Sequence, residues 1–148
     1  MMLAVFMETP EKELEAMSIK EMIREHPQIG ADYTEELGEA VKHAMYCAAI
    51  CNSCADACSA EEKGMEKCIR LCMDCSDICT ATYRTASRRT SGNVPVLKSM
   101  LQTCIDACEA CEAECAKHDH AHCKRCAQMC RECADDCRKA LETMQAHA

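Results

Sequence analysis

Cysteine is not scattered along this chain: sixteen of its 17 copies fall into four repeats of one spacing, Cys-x3-Cys-x2-Cys-x3-Cys. The repeats are Cys47, Cys51, Cys54 and Cys58; Cys68, Cys72, Cys75 and Cys79; Cys104, Cys108, Cys111 and Cys115; and Cys126, Cys130, Cys133 and Cys137. Only Cys123 lies outside the pattern. Steps of four, three and four stack on one side of an α-helix, so each repeat lays a stripe of thiols along one helix face. The spacing predicts an all-α fold in which four helices each present a sulfur ladder.

Leu, Ile, Val and Phe, the usual makers of a core, are scarce in the 148 residues, and the 49% of hydrophobic residues is mostly Ala, Cys and Met. With 28% charged residues, such a composition ordinarily offers too little apolar surface to offset chain entropy. Periodic cysteine changes that. A protonated thiol behaves as a small hydrophobe and is often buried, so the stripes themselves can form the core-facing seam. As bare thiolates the same seam would be a desolvated, self-repelling array. An empty core therefore holds thiols, and a filled one holds cations. The net charge of -8 favours the approach of cations and argues against a nucleic-acid partner.

Punctuation between the stripes gives the architecture. Asp32 with Glu35 reads as a capping box after Gly30 and opens a first core helix near 33–58; Ser59 with Glu62 is a second box, opening a helix near 62–88. Asn93 and Pro95 open the third, which runs to about Lys117, and Asp119 caps the fourth. Short connections make successive helices antiparallel, so the expected fold is an up-down-up-down four-helix bundle with its thiol stripes on a common axis. Ahead of it, Thr9 and Pro10 start a smaller helical piece over 10–26 that Pro27 ends. The chain divides into an N-terminal helical segment and cap, 1–30, and a Cys-lined bundle, 31–148.

The reading of the thiols as disulfides meets two objections. Met1 to Thr9 carries a short apolar run without a basic flank or a small-residue cleavage site, so a reducing cytoplasmic setting is expected rather than export. No stretch reads as membrane-spanning. Helix side chains three or four apart have Cβ atoms about 5–6 Å apart, whereas a disulfide needs about 3.5–4.5 Å. A metal closes that gap. With metal–sulfur bonds of about 2.3 Å, a linear S–Cu–S unit spans about 4.6 Å. Soft thiolates select Cu(I), with zinc and iron–sulfur clusters as competitors. Zinc takes closed tetrahedra, which a continuous helical ladder does not isolate. Cys-x-x-Cys pairs such as Cys51–Cys54 and Cys123–Cys126 lack both the strand-to-helix setting of a thioredoxin-like site and the following His of a haem attachment site.

Antiparallel order also sorts the polar residues by end. The turns at 59–64 and 117–122 share one end with Cys58, Cys68, Cys115, Cys123 and Met65. His118 and His122 extend stripes outward there, three residues past Cys115 and four before Cys126, with His120 between them. This end is expected to admit ions. The opposite end collects His43, Tyr83, Met100 and Met144, and the N-terminal piece emerges from it.

The fourfold spacing, the His-bearing turn before the last helix and the lack of an export signal resemble the cytosolic copper storage proteins of bacteria. The resemblance covers about residues 33–146. It implies a four-helix bundle that fills its core with many Cu(I) ions, assembles as a homotetramer and lacks the Met-rich mouth of exported relatives. The implied metal ligands are the sixteen repeat cysteines, with Cys123, His118 and His122. Leu37, Val41, Met45 and Ala48 are the outward apolar residues available to an assembly.

Storage rather than turnover follows from this reading, because no catalytic constellation stands out. Counting gives about one ion per cysteine, and each ion displaces a proton, so loading weakens in acid. A helical metal-free form is expected. The alternatives are a zinc or heavy-metal-binding thiol protein and a thiol redox buffer, the latter needing an exposed, low-pKa thiol.

Overall fold

The computed structural model describes residues 9, 10, 17–29 and 32–146. Five helices account for most of them, and no strand occurs among the described residues: α1 (Ile19–Arg24), α2 (Glu35–Ser59), α3 (Glu66–Ala86), α4 (Val94–Cys115) and α5 (Ala121–Ala146). The four long helices alternate in direction. Each packs on its two neighbours, with α2 closing the ring against α5, which is the up-down-up-down bundle expected from the sequence.

The helix boundaries correct several expectations. Thr34, not Asp32, caps α2: its hydroxyl accepts the Leu37 N–H at 3.2 Å, which satisfies one of the amides that a helix start leaves without a partner. Ser59 opens nothing. It is the last residue of α2, and its hydroxyl donates back to the Asp56 carbonyl. The next helix starts at Glu66 rather than 62, because the intervening residues form the reversal, with Gly64 at φ +97°. Asn93 does precede α4 and Pro95 lies in its first turn. The Asn93 side chain, however, accepts the Thr90 N–H at 2.8 Å and so closes a single 3-10 turn, Ser91–Asn93, ahead of the helix. Helix α5 begins two residues beyond Asp119. Helices α3 and α4 end at Ala86 and Cys115, each two residues short of expectation.

The N-terminal piece is not one helix over 10–26. Ser18 is extended, with ψ 137°, and its side chain accepts the Lys20 N–H, so a new helix starts at Ile19. Residues 11–16 of the stretch that Thr9 and Pro10 were expected to begin lie outside the described residues. Helix α1 docks on the start of α2. Lys20 donates to Glu35 at 2.8 Å and to Glu39, Arg24 pairs with Glu35, and Ile23 is buried in the apolar cluster.

Two kinds of core share one axis. The centre and one end are filled by thiols; the other end is aliphatic, with Leu37, Val41, Leu97 and Leu101 no more than 1% exposed. Leu37, Val41 and Ala48 are therefore inward, contrary to expectation, and Met45 alone of that group is exposed, at 40%. The cause is stripe continuity. Leu37, Val41 and Ala44 extend the thiol face of α2 toward its N-terminus by steps of three and four, so the face that buries sulfur must bury them too. Small side chains bring α2 and α3 close, where the buried Ser76 hydroxyl donates to the Ala48 carbonyl at 2.8 Å.

Gly64 is the one described residue with positive φ, and a Cβ there would meet nothing within 4 Å. Gly64→Ala is thus a test of backbone strain without a clash. It should lower stability by about 1 kcal/mol, left-handed strain being partly offset by a stiffer unfolded chain; the denaturant midpoint of the metal-free protein checks this.

Candidate metal centre

All seventeen cysteines are free thiols, buried at 2% exposure or less. Their sulfurs form one connected column. At one end Cys58 lies 3.6 Å from Cys68 and 3.8 Å from Cys123, and Cys68 lies 3.5 Å from Cys115. Moving inward, Cys72 contacts Cys115 at 3.5 Å, Cys111 at 3.7 Å and Cys126 at 3.9 Å. Cys51 meets Cys126 and Cys130 at 3.6 Å each, and Cys47 meets Cys130 at 3.9 Å. Past the middle, Cys75 lies 3.7 Å from Cys108, and Cys79 lies 3.7 Å from Cys104. Cys133 joins Cys47, Cys79 and Cys108 in a four-thiol group, and Cys137 is buried at the inner end. Each helix supplies a sulfur at most levels because its stripe runs parallel to the axis. Cys123, outside the repeat, takes its place at the outer end.

These spacings suit metal–thiolate bonding. With metal–sulfur bonds of about 2.3 Å, three sulfurs around one ion sit about 4.0 Å apart and four sit about 3.8 Å apart. Edge lengths alone therefore do not select the metal. Membership does. Cys47, Cys51, Cys54 and Cys130 each belong to more than one four-residue group, so the groups overlap and cannot all become separate closed tetrahedra. Charge adds a second criterion, since a divalent ion held by four thiolates leaves two negative charges in a dry core, while one monovalent ion per thiolate leaves none.

The outer end is the polar one. The His122 ring spans it: Nδ1 lies 3.4 Å from the Cys54 sulfur and 3.5 Å from that of Cys123, while Nε2 lies 2.9 Å from Glu61 Oε1. Cys54, Cys58, His122 and Cys123 form one ligand group whose only partly exposed member is His122. His120 stacks on His122 with ring centroids 5.5 Å apart and reaches the same Glu61 oxygen at 3.4 Å. Burial pushes the Cys58 and Cys123 thiols up to about 12. Hydrogen bonding with Cys115 above all, then with Cys72 and His122, pulls Cys54 down to about 6. The His122 imidazole is raised, by Cys54 first and then by Glu61. The mouth thus pairs a thiol biased toward ionisation with an imidazole, beside neighbouring thiols that keep their protons.

Of the two histidines singled out from sequence, the structure brings His122 to the sulfurs. His118 lies instead with Nε2 3.3 Å from Glu114 Oε1. Glu114, 7% exposed, also receives Lys117 at 3.3 Å and Lys67 at 3.5 Å. Burial acts to raise its carboxyl, but the bonds from Lys117 and His118 outweigh it and hold the group below the usual carboxylate range. At the opposite end His43 pairs with Asp136 and lies 3.8 Å from Glu39. Met144 is buried, and Tyr83 packs against the core. Sequence reasoning missed both Glu61 and Glu114. Glu114 was findable, four residues before His118 on one helix face; Glu61 was not, because it reaches His122 only across the bundle.

Comparison with known proteins agrees with this geometry. The sequence model of the copper storage protein family matches residues 33–142. A copper storage protein, Ccsp, from Streptomyces lividans loaded with 10 copper equivalents is 38% identical, with a TM-score of 0.79 over 84% of this chain and 98% of that one. A five-copper structure of a cytosolic copper storage protein from the same organism is 41% identical, with a TM-score of 0.71, covering 73% and 93%. Cu(I)-bound BsCsp3 is 34% identical, with a TM-score of 0.65, covering 71% and 97%. A Bacillus subtilis relative, the cysteine-rich protein YhjQ, is 38% identical over 97 residues, which is 65% of this chain and 67% of that protein. The family match encloses every cysteine of the column, and this chain belongs to the copper storage protein family.

Proposed function

We propose that this chain stores Cu(I) in the thiol column of its bundle, as a reservoir and not as an enzyme. The observation that carries the reading is the continuity of the column: buried free thiols at 3.5–4.0 Å from one another, reached from one polar mouth. Cu(I) bound in relatives of the same fold supports the choice of ion. Ions arrive at the group of Cys54, Cys58, Cys123 and His122, and pass inward as each thiolate bridges two ions. The ligands are the seventeen cysteines with His122. His118 becomes a ligand only by leaving Glu114.

Each ion displaces one proton, so filling converts thiols to thiolates without accumulating charge. The store is assigned to the cytoplasm, in keeping with a thiol-rich core and the cytosolic relative; no described helix is long and apolar enough to cross a membrane. Residues 31–148 make the vessel, and 1–30 cap its aliphatic end, where α1 is docked. A homotetramer is proposed from the family resemblance, with the exposed Met45 and Tyr46 offering apolar surface on α2.

Elemental analysis of protein purified from copper-fed cells tests the reading. Many copper atoms per chain with little zinc are expected; zinc as the dominant metal would establish the four-thiol groups as zinc sites instead.

Acid should unload the store. Burial keeps thiols such as Cys58 and Cys123 protonated at neutral pH, so protons compete with Cu(I) over the whole acidic and neutral range. Below the thiol pKa, each unit of pH should cost about tenfold in apparent affinity for every proton displaced. Chelator competition at a series of pH values reads this slope, and a flat profile would show that the ligands carry no protons before loading.

A further inference from the structure

The four stripes do not end where the cysteines end. Beyond Cys104 the α4 stripe continues as Leu101 and Leu97, and beyond Cys137 the α5 stripe continues as Ala140 and Met144. On α3 it continues as Thr82, whose hydroxyl is committed to the Ile78 carbonyl at 2.7 Å. Leu97 and Leu101 are fully buried in one apolar cluster with the innermost thiols. Among the described residues that prolong the column, the only buried soft donor is the Met144 thioether. A bare cation crossing that region would lose its ligands in an apolar medium, which is the costliest place to put it. At the other end His122 is 28% exposed and touches two sulfurs. The ligand path to water is continuous there and interrupted at the aliphatic end.

We propose that stored copper leaves through the same His122–Glu61 mouth by which it is loaded, so that the last ions stored are the first released. The inference rests on the storage reading above. Movement along the column is ligand exchange with no change of oxidation state: an ion gives up one thiolate sulfur as it gains the next. At the mouth the ion passes to an acceptor, and one proton returns to the thiolate it leaves. In a full column an inner ion has no vacant sulfurs between itself and the mouth, so outer ions must go first.

Two stable copper isotopes test this with the unmodified chain. The protein is filled about halfway with one isotope and then to capacity with the other, and a strong Cu(I) chelator is added in small portions. Early fractions should be dominated by the second isotope. Early fractions rich in the first isotope, or carrying the mean isotopic ratio of the whole protein from the outset, would overturn the proposal. Total copper held before chelation is measured separately; a chain that retains only one or two ions overturns the storage reading and this inference with it.

Two variants locate the exit. Met144→Leu removes the buried thioether at the aliphatic end at nearly constant volume and should leave the release rate within twofold of the parent; slower release would reveal a second exit. His122→Ala removes the ring nitrogen that lies against the Cys54 and Cys123 sulfurs at the mouth and should slow both loading and release severalfold. Slowed loading with unchanged release would overturn the proposal.

Discussion

Thiols from four helices stand 3.5–4.0 Å from one another, well beyond the roughly 2.05 Å of a disulfide bond yet within the span of a shared metal ion. That separation depends on the helices. A stripe with steps of three and four runs along one face, and antiparallel neighbours in a closed ring turn all four stripes to a common axis. Rigid helical backbone then keeps each sulfur from collapsing onto the next. The same geometry makes the core compact when protonated and accepting when not, so one arrangement serves both the empty and the filled protein.

Charge balance links this geometry to the nature of the cargo. A buried anion array is untenable unless each charge is matched locally, and one monovalent soft cation per thiolate matches it without excess. Divalent ions each held by four thiolates would leave excess negative charge, and the overlapping four-residue groups, which share Cys47, Cys51, Cys54 and Cys130, cannot all close as separate tetrahedra. The polar side chain that touches the sulfurs, His122, correspondingly sits at the mouth. Glu61, His120 and His122 form one connected set there, and Glu114 fastens the start of α3 to the turn after α4 through Lys67, Lys117 and His118.

The stripes were legible in the sequence because helical periodicity is a local property: all seventeen thiols are buried on one axis, and the bundle topology follows from short connections. Helix starts were less legible. Asp32, Thr34, Ser59 and Asp119 are all chemically able to cap, and which one does so depends on where the chain must turn; a reversal through Gly64 at positive φ moved the start of α3 to Glu66. The partners of the mouth histidines were least legible. His118 and His122 look equivalent at a spacing of four, yet one faces Glu114 on its own side of the bundle and the other faces Cys54 and Glu61, more than sixty residues away in sequence. Leu37 and Val41 read as outward only while the thiol face was taken to stop at Cys47.

The most direct test is an anaerobic titration of the reduced, metal-free chain with Cu(I) against a strong competing chelator, counting the ions retained per chain. A column of shared thiolates should retain many ions, on the order of one per cysteine. Retention of only one or two equivalents would show that the sulfurs do not act as a continuous site and would contradict the account.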